Sequence, residues 1–210
     1  MHRLSNQILQ TNIPAELFDK LKNEVNKKQE TFNDHLAGNL EREENLDYFT
    51  PEVEPFITQT IKIYDPFVDF VGKTLRRLGC SNLGVSLKLK ALWVNHMKQY
   101  EFNPMHNHDG CFSFIMFIQI PFKSEEMLKK APGSKGNHNL AGSLTFFHHG
   151  STVPDEFFTK EVIFPDEEWE GKCLIFPAPL FHSVNPFYGT EKTRITVSGN
   201  VYLDDLKSIR

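Results

Sequence analysis

Cysteine is scarce in this 210-residue chain: Cys80, Cys111 and Cys173 are widely spaced and odd in number. That usage suggests neither a disulfide framework nor a cysteine-rich zinc site, and a reducing cytosol (a cytoplasmic location) is the simplest home. Long apolar runs are missing too. The longest, residues 112–122, is interrupted by Ser113 and Gln119 and is shorter than the ~20 residues of a membrane-spanning helix. Residues 1–7 hold no apolar run ahead of a small-residue cleavage site, so nothing indicates export. Neither sign of charge dominates: 23 Lys+Arg stand against 27 Asp+Glu, a net charge of -4, with no long basic stretch. A partner held by its phosphate backbone is therefore not expected; nucleic acid and membrane are both set aside. There is no internal repeat and no low-complexity segment.

A hydrophobic share of 40% and a charged share of 24% are ordinary for a globular chain, which sets disordered and fibrous classes aside. At this length a single domain, residues 1–210, with a sizeable core is expected. Two counts stand out, 19 Phe and 9 His. The phenylalanines are spread along the whole chain and read as packing residues. The histidines are uneven: His106 and His108 lie two apart, and His182 follows far downstream.

Residues 1–80 read as a helical lead segment. Asn12-Ile13-Pro14 resembles a helix start, and Leu17, Phe18, Leu21 and Val25 follow at helical spacing. Residues 35–45 show weaker periodicity and read as a turn with a short helix. From Pro55 onward Ile57, Ile61, Tyr64, Val68, Val71, Leu75 and Leu78 recur every three or four residues, a helix that Pro66 should kink or split. Past Gly79 the period changes to two. Val85, Leu87 and Leu89 alternate with Ser86, Lys88 and Lys90, and the strand pattern runs on through Trp93 to Met97. Strand-like segments recur at residues 112–120, 143–147, 161–164, 172–176, 182–184 and 193–202, separated by turn residues. Residues 123–140 read as an exposed loop. Helices followed by many short strands predict an α+β fold, with a jelly-roll or barrel-like sandwich that the helices cover on one side.

In residues 103–110 the two histidines stand at i and i+2, just before a strong strand. If that piece is extended, both imidazoles point to one face, as two ligands of one metal require; a pair of exposed loop histidines has the same spacing. A second motif raises the metal reading: the strand-like residues 172–176 end in a turn bounded by Pro177 and Pro179, which delivers His182, and Arg194 follows on the next strand. There Arg194, Thr196 and Ser198 share one face, and Ile195, Val197 and Val201 the other. A buried guanidinium without an anion is costly, and its fork fits a carboxylate; an Arg in solvent would need no such partner.

With these residues in view the chain resembles the 2-oxoglutarate- and Fe(II)-dependent oxygenases, in particular the small prolyl-hydroxylase-like oxygenases of marine phages and bacteria. The likeness covers roughly residues 85–203 and is carried by residues 93–95, 102–114, 142–146 and 176–184 with Arg194; residues 35–41 also look like that subgroup's N-terminal part. The resemblance implies a double-stranded β-helix, iron near its open end, and 2-oxoglutarate chelating the metal, its far carboxylate on Arg194 helped by Thr196. The implied reaction uses O2 and oxidises a small-molecule or peptidyl substrate, most simply by hydroxylation.

The wider superfamily presents H-x-D/E, giving two histidines and one carboxylate. This chain has H-x-H, and Asp109 is the nearest carboxylate. Strand geometry favours His106 plus His108, since i and i+2 point together and i and i+3 do not, and with His182 they make a set of three histidine ligands. A turn at Asp109-Gly110 would instead swing the carboxylate inward, and that alternative stays open. His148 and His149 read as surface or loop-packing residues, Trp93 as core, and one of Asn95 and His96 as facing the pocket. Two other functions compete. A cupin-type dioxygenase also uses H-x-H with a distant His, but the Gly and Glu positions of its pattern are filled here by Tyr100 and by Phe112 or Ser113. A non-catalytic β-helix used for binding or structure would show no metal and no 2-oxoglutarate affinity.

Overall fold

The computed structural model describes residues 2–3, 7–27, 30–32, 38–64, 83–137, 139–149 and 158–208. Along the chain run β1 (His2–Arg3), β2 (Leu9–Asn12), α1 (Ala15–Glu24), β3 (Arg42–Asn45), α2 (Thr50–Ile63), β4 (Leu83–Met97), β5 (Asn103–His106) and β6 (Phe112–Gln119). They are followed by α3 (Ser124–Lys130), β7 (Leu144–His149), β8 (Phe158–Ile163), β9 (Lys172–Pro177), β10 (Phe181–Val184) and β11 (Arg194–Ser208). Every pairing between these strands is antiparallel. One sheet has the order β1-β2-β9-β6-β11-β4-β3 and the other β5-β10-β7-β8.

The larger sheet buries both faces, and the alternation of its side chains shows why. On one face Phe112, Phe114, Met116 and Ile118 of β6, Cys173 and Ile175 of β9, and Ile195, Val197 and Val201 of β11 meet the two lead helices. Helix α1 offers Leu17, Leu21 and Val25, and α2 offers Val53, Ile57 and Ile61, each set at i, i+4, i+8 and so on one stripe. On the other face Ile115, Phe117, Leu174 and Phe176 pack against Leu144, Phe146 and Ile163 of the smaller sheet. Burying a Leu or Phe side chain is worth ~1.5–3 kcal/mol each, so these two layers hold the sheets in register.

The lead segment differs from its reading in specific ways. It contains strands as well as helices. Asn12 ends β2 rather than capping α1; Pro14 stands at the cap position. Helix α2 begins earlier than Pro55, at Thr50, with Pro51 in its first turn where no N–H is needed. Its expected continuation through Val68, Val71, Leu75 and Leu78, with the kink at Pro66, lies outside the described residues, as do residues 35–37 of the segment read as a turn with a short helix. In the described part of that segment Arg42–Asn45 is not helical; it is an edge strand whose charges hide its alternation. Residues 123–140 are not simply a loop: α3 forms at Ser124–Lys130, with Glu125 and Glu126 in its first turn and Lys129 and Lys130 in its last, matching the helix dipole. Met127 anchors it in the core between the sheets.

One irregularity in β4 positions the site. Against β11 the register runs Asn200↔Ala91 and then Val201↔Leu89, so Lys90 is an extra residue, a bulge. Before it Leu87 and Leu89 face the helices; after it Leu92 and Val94 do, and Trp93, Asn95 and Met97 turn to the opposite face. Unbroken alternation would have sent Trp93 and Asn95 into the helix layer. Two carboxylates hold the backbone on either side of the bulge: Glu54 Oε2 accepts from Leu89 N–H and Asp47 Oδ1 from Leu92 N–H, both at 2.8 Å.

Candidate active site

Strands β5 and β10 pair with His106 directly opposite His182, which brings the two imidazoles to a centroid separation of 4.4 Å. His108 lies beyond the end of β5 rather than on it. Its backbone N–H donates to Ala178 O at 2.9 Å, which draws the loop in and sets its ring 4.9 Å from His106 and 5.1 Å from His182. One ligand atom from each of the three lies within 4.8 Å of the others. Asp109 is exposed and outside this group, and the turn after it uses Gly110 at φ 101°, where an added Cβ would meet Val201 O at 2.8 Å.

The rings are oriented by the backbone. His106 Nδ1 sits 2.7 Å from Pro104 O and His182 Nδ1 3.0 Å from Leu180 O. A carbonyl accepts only, so each Nδ1 carries the proton and leaves Nε2 free to coordinate, the arrangement in which outer hydrogen bonds fix a ligand tautomer. Burial pushes all three pKa values below the ordinary imidazole value. His108 falls to about 4, through burial and then the neighbouring His106, and His182 to about 3, through burial and then His106. At neutral pH the cluster is therefore three uncharged nitrogen donors. Phe146 and Phe176 wall His182, and Trp93 stands 5.6 Å from the His108 ring. Trp93 is thus buried, as expected of a core residue, and also part of the cavity wall.

Across the same cavity β11 presents Arg194, Thr196 and Ser198, on the face opposite Ile195, Val197 and Val201 as the alternation predicts. Arg194 is 3% exposed, its guanidinium lies 5.9 Å from the Phe117 ring centre, and its Nη1 has no hydrogen-bond partner. Burial pushes its pKa down to about 10. It makes no ion pair among the described residues. Asn95 donates to Thr196 Oγ1 and Ser198 Oγ, both at 3.3 Å, and its own Oδ1 is unpartnered. Of Asn95 and His96, then, the first faces the cavity; His96 faces away and meets Glu44 at 3.4 Å. His148 bonds Gln7 and Glu161, outside the cavity lining. Cys173 is buried in the core and Cys111 packs partly against it, and both are free thiols.

Glu43, Asn103 and Gly38 also line the cavity; the sequence marks Asn103 and Gly38 only as members of residues 102–114 and 35–41, with no role attached, and does not mark Glu43. Glu43 sits in a run of four charged residues, where nothing in composition separates a buried carboxyl from a solvated one. Its only signal is strand alternation, which places it opposite Asn95.

The cavity fits an iron and a dicarboxylate on its own terms. Neutral imidazoles suit Fe(II), and a buried cation with an unsatisfied donor needs an anion. The sequence profile of the family described as "Putative 2OG-Fe(II) oxygenase" matches residues 91–200, more than half of the chain. No curated protein matches the chain in sequence. Among solved structures it is similar to a Pseudomonas putida prolyl-4-hydroxylase, with 12% identity, 94% of this chain and 93% of that one covered, and a TM-score of 0.52. It is likewise similar to HygX from Streptomyces hygroscopicus with nickel and 2-oxoglutarate bound, with 9% identity, 97% and 85% covered, and a TM-score of 0.54. A third is an oxidoreductase of the 2OG-Fe(II) oxygenase family from Burkholderia pseudomallei, with 12% identity, 97% and 88% covered, and a TM-score of 0.50. At such identities the likeness speaks for the fold, a double-stranded β-helix with added helices, while the profile decides against the cupin-type and non-catalytic readings: the chain belongs to the 2-oxoglutarate- and Fe(II)-dependent oxygenases.

Proposed function

We propose that the protein hydroxylates a C–H bond of a small-molecule or peptidyl substrate, with His106, His108 and His182 holding the iron and Arg194, helped by Thr196, holding the far carboxylate of 2-oxoglutarate. The observation that carries this reading is a single cavity lined both by three neutral, converging imidazoles and by a buried guanidinium with an unsatisfied Nη1. When bound, the iron and 2-oxoglutarate supply the O2 chemistry, in which 2-oxoglutarate goes to succinate and CO2 as the substrate is oxidised.

The chain's own contribution is position. The Pro104 and Leu180 carbonyls lock two ligand rings, Arg194 fixes the far end of the co-substrate, and Phe146, Phe176 and Trp93 keep water from the ligand rings. Hydroxylation rather than halogenation is supported by the third imidazole, which fills the ligand position a halide would take. We treat residues 1–210 as one unit, because α1 and α2 pack on the sheet that carries Arg194. The three widely spaced cysteines, odd in number, support a reducing, cytoplasmic setting. Anaerobic titration of Fe(II) and then 2-oxoglutarate should produce a metal-to-ligand charge-transfer band at one equivalent of each. A protein that takes up iron yet yields no such band on adding 2-oxoglutarate would sink the co-substrate assignment.

A further inference from the structure

A centre of two histidines and one carboxylate brings a negative charge to its ferrous ion. The three side chains that converge here bring none. With the iron, the 2-oxoglutarate dianion and the Arg194 guanidinium all in place, the cavity holds one positive charge in excess. Uncompensated charge in an apolar enclosure is costly, so a counter-charge is called for nearby. Among the described residues lining the cavity one carries a carboxyl, and it is Glu43.

Glu43 is 1% exposed and lies opposite Asn95, whose amide bonds the two hydroxyls beside Arg194. Its neighbours on β3, Arg42 and Glu44, point to the other face, where they pair with each other and Glu44 meets His96. At Gly38 the backbone closes over the carboxyl: an added Cβ would lie 2.6 Å from Glu43 Oε1 and 2.7 Å from Asn103 Oδ1. The absence of a side chain at Gly38 is what leaves room for this carboxyl in the wall.

We propose that Glu43 is the counter-charge of the three-histidine centre, a carboxylate set in the cavity wall rather than on the metal. The inference rests on the ligand reading above. Burial, and after it the charge of Glu101, push the Glu43 pKa up to about 7, so a further positive charge entering the cavity favours the ionised form. Arg194 of β11 and the three histidines line the same cavity; Glu101, from the connection between β4 and β5, is the like charge. A unit charge in the wall of the same cavity, at an effective dielectric of ~20, corresponds to on the order of tenfold in affinity.

The test uses the full chain and Mn(II) as probe, with calorimetry at neutral pH in the presence of saturating 2-oxoglutarate. Glu43→Gln keeps the shape and removes the charge; it should weaken Mn(II) binding about tenfold. The same variant, metal-free, should unfold at the same or a higher temperature, because it no longer buries an ionisable group. Glu43→Asp should recover part of the affinity. Equal Mn(II) affinity in parent and Glu43→Gln overturns the proposal, and so does weaker binding accompanied by a lower unfolding temperature, which would assign Glu43 to the fold. If the parent itself binds no Mn(II), the histidine assignment falls and the counter-charge with it, an outcome distinct from parent binding that Glu43→Gln leaves intact.

Discussion

Replacing Arg194 by leucine should move two measurements in opposite directions. Arg194 is 3% exposed and makes no ion pair among the described residues, and burial lowers its pKa from the ordinary guanidinium value to about 10. At ~1.4 kcal/mol per unit, holding the charge in the fold costs on the order of 3 kcal/mol. The sign follows from protonation: below about pH 10 the residue is charged in both folded and unfolded chains, so the whole cost is present at neutral pH. Leucine removes it and forfeits the contact with Phe117, ~0.5–1 kcal/mol. The ligand-free variant should therefore unfold at an equal or higher temperature than the parent. Binding goes the other way. A buried hydrogen bond to a charged group is worth ~1.5–3 kcal/mol, so 2-oxoglutarate affinity should fall roughly ten- to a hundredfold, with metal affinity little changed. Arg194→Lys should restore only part, since an ammonium keeps the charge without the fork. Calorimetric titration of 2-oxoglutarate into Mn(II)-loaded parent and variants reads one quantity and thermal unfolding without ligand reads the other. Equal 2-oxoglutarate affinities would refute the assignment, and a fall in both stability and affinity would make Arg194 a structural residue.

His182→Ala should abolish stoichiometric metal binding and His108→Ala most of it, while Asp109→Ala retains it; the reverse order of the last two, read by metal titration, would establish a carboxylate ligand. Glu54→Ala leaves the Leu89 N–H beside the bulge without its acceptor and should lower stability by ~1–3 kcal/mol in urea unfolding, an unchanged midpoint counting against any role in holding the bulge. In metal-free protein the folded His108 and His182 resist protonation down to about 4 and 3, whereas unfolded histidines take up protons near ~6.5. Stability should therefore decline as pH falls from ~6.5, and His182→Phe should flatten that decline. Parallel pH profiles for parent and variant would contradict the buried, neutral imidazole.

What the sequence by itself determined is whatever depends on short-range repetition. The helical stripes of α1 and α2 are written in Leu17, Leu21, Val25 and in Ile57, Ile61, and the two faces of β11 follow from strict alternation between Arg194 and Ser198. His106 and His182 were legible because each stands beside or within a strong strand signal, and Arg194 because a cation among β-branched residues asks for an anion. The tertiary structure decided the rest. His108 joins its partners through a loop hydrogen bond to Ala178, not through the extended spacing that suggested it. Trp93 and Asn95 face the cavity because one extra residue at Lys90 reverses the side-chain phase of β4, and an insertion of one in a period of two leaves no mark in composition. Glu43 reads like Glu41 or Glu44 until β3 pairs with β4, because burial of a charge is a property of what packs over it: a backbone at Gly38 and a strand whose partner lies fifty residues further along the chain.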